Sequence, residues 1–130
     1  MLLLDTHTFI WLSLDWSQLP SNILKLIEED SEGLFISAIT ATEIGLLVNS
    51  GRVKIPCSCE YFLSRNFEHY GVHQVPVDVE IALASTQLPQ IHRDPFDRII
   101  IATAKKHGMV ILTKDRTIPT YPKVKAVWEA

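Results

Sequence analysis

Short runs rich in Leu, Ile, Val and Phe alternate with segments of helical period, and this alternation restricts the fold more than any other feature. The runs are Met1–Leu4, Gly33-Leu34-Phe35-Ile36, Gln74-Val75-Pro76-Val77, Val110-Ile111-Leu112-Thr113 and, as a possible edge, Lys125-Ala126-Val127-Trp128. Each is strand-length, and the apolar content fits burial on both faces of a sheet. Pro76 marks the third run as an edge or an end, because proline donates no ladder hydrogen bond. Helical segments fill the gaps at 6–14, 20–30, 40–50, 57–69, 78–88 and 95–107. Leu24 and Ile27 share one face of the second, and Ile44, Leu47 and Val48 one face of the third. Pro20 and Pro95 open helices, while Gly51 and Gly108 close them. Strands alternating with helices of about three turns predict a parallel sheet covered by helices.

At 130 residues, 47% hydrophobic and 21% charged, the expectation is one soluble domain spanning 1–130. No apolar run approaches a membrane span. The apolar start meets Asp5 at once and no cleavage-site pattern follows, so a cytoplasmic protein is expected. Cys57 and Cys59 are too close, and too few, for a zinc site or a disulfide framework, which leaves two free thiols. The net charge of −3 excludes a general polyanion binder, but the charge is uneven. Residues 1–92 hold 4 of the 12 Lys/Arg and 11 of the 15 Asp/Glu, whereas residues 93–130 hold 8 basic and 4 acidic groups. A basic C-terminal third suits a phosphate-facing surface, and equally a set of solvated lysines.

Four acids recur at one kind of position. Asp5 follows the first run and Asp115 the fourth; Glu43 and Asp97 fall in the first turn of the helices after Ser37 and Asp94. Each has a purely structural use. Asp5 and Asp115 suit helix N-caps, Thr40-Ala41-Thr42-Glu43 reads as a capping box, and Asp94-Pro95-Phe96-Asp97 supplies a cap, an N1 proline and a first-turn acid. Together they say more. In a parallel α/β sheet the carboxyl ends of the strands share one edge, where ligands bind. Carboxylates gathered there raise one another's pKa unless a cation holds them ionised. An all-oxygen donor set without His or Cys suits Mg²⁺ or Mn²⁺ rather than Zn²⁺. Such a cation lowers the pKa of a bound water and neutralises charge in phosphoryl transfer, so no Ser or Cys nucleophile is needed. None is evident, and 5 glycines form no phosphate-cradling loop.

With these residues in view, the sequence resembles the PIN-domain ribonucleases, in particular the VapC toxins of bacterial toxin–antitoxin pairs. The likeness runs through Leu4-Asp5-Thr6-His7 with Trp11, then Ser37-Ala38-Ile39-Thr40-Ala41-Thr42-Glu43-Ile44. It continues in His92-Arg93-Asp94-Pro95-Phe96-Asp97-Arg98 with Ile101-Ala102-Thr103-Ala104, and ends in Leu112-Thr113-Lys114-Asp115. The resemblance implies a Rossmann-like three-layer α/β/α sandwich around a parallel sheet of about five strands. It implies an endoribonuclease dependent on Mg²⁺ or Mn²⁺, a homodimer, and a VapB-like antitoxin that inserts a segment into the acidic cleft. By the motif match Asp5, Glu43 and Asp97 are the core metal-binding acids and Asp115 a fourth. Thr113 would line the site, and Asp94 is a second-metal ligand, a supporting group or only a cap.

Arg93, Arg98, Lys114 and Arg116 flank the acids and are candidates to hold an RNA backbone without reading its sequence. Trp11, Trp16 and Tyr121 are candidates to stack on unpaired bases, with core packing the competing use. His7 and His92 lie near the acids, as proton donors or as hydrogen-bonded scaffold. Two other readings stand beside the nuclease: a receiver-type phosphoacceptor domain, which lacks a convincing acceptor after the third strand, and an inactive PIN-like scaffold for RNA or a partner. A flap-type DNA nuclease shares the general fold but belongs to longer chains. A carboxylate-held metal also predicts activity that falls in acid; a flat profile down to about pH 4 would count against it.

Overall fold

A computed structural model describes residues 1–129; Ala130, the last residue of the expected domain, lies outside the described residues. Five strands run β1 Leu2–Leu4, β2 Leu34–Ser37, β3 Val72–Val75, β4 Val110–Leu112 and β5 Ala126–Val127. They form one sheet in the order β3-β2-β1-β4-β5, and every neighbouring pair is parallel. Six helices connect them: α1 Thr6–Leu14, α2 Ser21–Glu29, α3 Ile39–Asn49, α4 Cys59–Tyr70, α5 Val79–Thr86 and α6 Pro95–His107. Short 3₁₀ turns at Trp16–Gln18 and Ile118–Thr120 complete the chain.

Successive side chains of a strand point to opposite faces, and β1 shows how this divides the core. Leu2 and Leu4 face one layer with Phe9, Leu12, Ile23, Ile44 and Phe62 from α1 to α4. Leu3 faces the other with Ile100, Ile101 and Ala104 of α6. Ile81 of α5 is fully buried as well. The expected three-layer α/β/α sandwich around a five-stranded parallel sheet is therefore the observed architecture. No helix among the described residues is long and apolar enough to cross a membrane.

Two local expectations are corrected. The third strand lies at Val72–Val75, not 74–77. Gly71 closes α4 in the left-handed region, at φ 63°, and turns the chain directly into the strand, so that Val72 and Val75 are buried and Pro76 follows the last rung. The capping box at Thr40–Glu43 does not form. Helix α3 begins one residue earlier, at Ile39, with Ala38 at the cap and no side-chain capping bond. Ser37 Oγ accepts the Ile39 N–H instead, and Thr40 Oγ1 pairs with Thr6 Oγ1 at 3.2 Å. Glu43 thus sits in the second turn of α3, free of a capping duty.

Candidate active site

The parallel sheet brings the ends of β1 and β4 side by side, and the acids meet there. Asp5 caps α1: its Oδ1 accepts the Thr8 N–H at 2.9 Å. Its Oδ2 accepts the hydroxyl of Thr113, the residue after β4. Thr113 Oγ1 in turn accepts the Asp115 N–H at 3.0 Å. Asp115 caps a turn rather than an α-helix, its Oδ1 accepting the Thr117 N–H at 2.7 Å. Asp94 caps α6 through the Phe96 N–H at 2.9 Å, with Pro95 at N1, as its sequence predicts. One helical turn on, Asp97 reaches the same hollow. Asp5, Glu43, Asp94, Asp97 and Asp115 line a cavity of about 490 Å³, together with His7, Trp11, His92 and Lys114.

The charges in this cavity are poorly compensated. Burial raises the pKa of Asp5 even though Thr113 and Thr8 bond its carboxylate. Burial also raises Glu43, against a hydrogen bond from Thr6, and Asp94 repels it further. Glu43 Oε1 is buried and has no hydrogen-bond partner. Asp97 is pushed to about 7, first by burial and then by Asp94 and Asp5. Asp115 goes the other way: burial acts upward, but bonds from His92 and Thr117 outweigh it and its pKa is lowered. An orphaned carboxylate oxygen beside two acids that resist ionisation has the donor chemistry of a cation site. The set fits a hard divalent ion bound through oxygen.

The basic residues separate. Lys114 lines the cavity, and its Nζ stands 5.8 Å from the centre of the Trp11 ring. Arg93 and Arg116 are exposed and lie outside the lining. Arg98 is a correction: it is 8% exposed and lies outside the cavity lining. Its guanidinium donates to the carbonyls of Ser85, Leu88, Pro89 and His92 and to Tyr121 Oη. Tyr121 is buried at 2% exposure and offers no face to a base. Trp16 is exposed but bonds Leu12 and Tyr70, away from the cavity lining, and Trp11 packs against Trp128 and His7.

Of the two uses expected for His92, the structure shows the hydrogen-bonded one, and it adds which acids the imidazole meets. His92 Nε2 lies 2.7 Å from Asp115 Oδ2 and 3.0 Å from Asp97 Oδ2. Asp97 is five residues from His92 but Asp115 is 23 away, and they meet because β4 runs back along α6 and ends beside the helix start.

The family model of the PIN domain matches residues 2–124. The chain belongs to the PIN-domain family. Within it this PIN domain is 32% identical to Ribonuclease VapC22 of Mycobacterium tuberculosis, over 97% of both chains. Among solved structures it resembles the DNA-bound VapBC of Salmonella typhimurium, with a TM-score of 0.69, 20% identity, and 97% and 96% of the two chains covered. A toxin-antitoxin complex from Klebsiella pneumoniae matches with a TM-score of 0.65 and 22% identity over 95% of each chain. Membership of the PIN family sets aside the receiver-type reading, and the structure agrees. Asp78, the acid after the third strand, caps α5 and pairs with Lys106 at 2.6 Å, outside the acidic cavity.

Proposed function

We propose that this 130-residue chain acts as a single PIN-like domain, a divalent-metal-dependent endoribonuclease of VapC type held in check by a VapB-like antitoxin. The observation that carries the reading is Glu43 Oε1, buried and unpartnered in a cavity shared with Asp5 and Asp97. The relative named a ribonuclease and the toxin-antitoxin complex of like fold support the same reading. Cytoplasmic location and a homodimer belong to it as well.

Asp5, Glu43 and Asp97 would hold Mg²⁺ or Mn²⁺, with Asp94 and Asp115 at its margin. When bound, the ion supplies a more acidic water and neutralises charge on the phosphodiester. The protein's own groups do the rest. Thr113 and Thr8 fix both oxygens of Asp5, so its remaining lone pairs point into the cavity. Lys114 is placed to hold a backbone phosphate at the rim, opposite the acids, with Arg93 and Arg116 farther out. Arg98 is withdrawn from that role.

The test is incubation of the purified chain with a mixed RNA pool in Mg²⁺, in Mn²⁺ and in EDTA, beside Asp5→Asn and Asp97→Asn. Metal-dependent cleavage absent from both variants, with circular dichroism showing them folded, is the expected result. Wild-type protein that neither cleaves nor binds the ions by calorimetry would leave an inactive scaffold and overturn the proposal.

A further inference from the structure

His92 touches two acids of the cavity but has no place among the oxygen donors. Its surroundings specify what it does. The Asp94 backbone N–H donates to His92 Nδ1 at 3.1 Å. A neutral imidazole that accepts at Nδ1 carries its proton on Nε2. That Nε2–H donates to Asp115 Oδ2 at 2.7 Å, and Asp97 Oδ2 lies 3.0 Å from the same nitrogen as a close electrostatic contact. The remaining oxygen of Asp115 is occupied by the Thr117 N–H, so this carboxylate is held at both ends within its own surroundings. Asp97 is held at Oδ2 alone, which leaves Oδ1 to the cavity.

The segment bearing His92 is itself anchored on buried groups. Tyr121 Oη accepts the His92 N–H at 2.7 Å. Arg98 Nη1 donates to the carbonyls of Pro89 at 2.9 Å and His92 at 3.3 Å, and Nη2 to Leu88 at 3.0 Å. The backbone at His92 therefore cannot shift without breaking bonds to two side chains that are almost wholly buried, and the ring itself is held by the Asp94 N–H and Asp115.

We infer that His92 is a positioning residue of the acidic site: its Nε2–H, anchored by Asp115, fixes the carboxylate of Asp97 toward the cavity. Asp115 then acts through His92 rather than on the ion, which departs from the four-acid site that the sequence suggested. The inference rests on the metal-dependent reading above, since an oriented Asp97 matters only if it holds a cation. Groups that orient a metal-binding carboxylate are typically worth about 10–100-fold in metal affinity.

Two measurements test it. In the metal-free chain, nitrogen-15 correlation spectra of the imidazoles should show His92 as the Nε2–H tautomer, and Asp115→Asn should move its resonances. An Nδ1–H tautomer or a doubly protonated ring overturns the brace. Calorimetry with Mn²⁺ then compares wild type, His92→Ala and His92→Gln, with thermal unfolding as the check on folding. Ala should weaken Mn²⁺ by about 10-fold or more. Gln, which keeps an N–H donor at similar reach, should recover most of the loss. Unchanged or tighter binding in His92→Ala, or no recovery in His92→Gln, overturns the inference. Wild-type protein that binds no Mn²⁺ defeats the nuclease reading and, with it, the part of the inference that concerns the ion; the tautomer still decides the brace.

Discussion

Asp97 and Asp115 share one imidazole nitrogen and are nevertheless driven in opposite directions. The difference is solvation and company. Asp115 accepts hydrogen bonds from His92 and Thr117, while Asp97 is more deeply buried and faces Asp94 and Asp5. In the unfolded chain Asp97 titrates near 3.8, and in the folded chain near 7. Between those values the folded state keeps a proton that the unfolded state has released, so stability falls as pH rises through that window. Asp5 and Glu43, also raised, add to the same slope. In EDTA the melting temperature should be higher at about pH 5 than at about pH 7.5, and Asp97→Asn should flatten the difference. A wild-type melting temperature that climbs over that interval would refute the raised carboxylates. A bound cation competes with these protons, so Mg²⁺ affinity should weaken below about pH 7. All five acids were legible in the sequence because they abut strand ends or helix starts. His92 was legible as a neighbour of the acids but not as the link between Asp97 and Asp115, because that depends on how α6 packs against β4.

At the scale of elements, α6 carries the most information per residue. It begins on Asp94 and Pro95, presents Asp97 in its first turn, buries Ile100 and Ile101, and stops at Gly108 with φ 65°. No atom would obstruct a Cβ at Gly108, so only the backbone conformation penalises a side chain there. Gly108→Ala should lower stability by about 1 kcal/mol in urea unfolding, with cleavage unaffected. Arg98 presents the converse case. It sits on α6 among the basic residues of the C-terminal third, and only the structure shows it to be a strut between α6 and the end of α5. Arg98→Met would strand four backbone carbonyls and should cost about 3 kcal/mol, again by urea unfolding. A loss below about 0.5 kcal/mol, the usual range for surface sites, would mean that the guanidinium is not the strut described. The misplaced third strand has a plain cause too. Consecutive exposed residues, His73 and Gln74, broke the alternation and hid the start of the run, and Gly71 alone signals where it begins.

For the whole molecule, the alternation of runs and helices was enough to predict the parallel sheet and its two covering layers. Strand order was not, since nothing local says that β1 lies between β2 and β4. That order is what gathers Asp5, Thr113 and Asp115 at one edge. A ligand bound only by the folded state stabilises it by mass action. Mg²⁺ at about 100 times its dissociation constant should add roughly 2.7 kcal/mol. The resulting rise in melting temperature should vanish in Asp5→Asn. An equal rise in that variant would place the ion elsewhere.

The position of β1 has a consequence for synthesis. It is the first strand made, yet Leu2 pairs with Leu34 on one side and with Val110 on the other, so its second flank stays bare until the last quarter of the chain appears. A polypeptide halted before α6 already holds Asp5, Glu43 and Asp94 but has neither Asp97 nor Asp115. Under the proposed function, the cutting edge is drawn from distant parts of the chain and exists only after Asp115 has been made and β4 has paired with β1. A nascent fragment that stops short of Asp97 and Asp115 would carry an incomplete site.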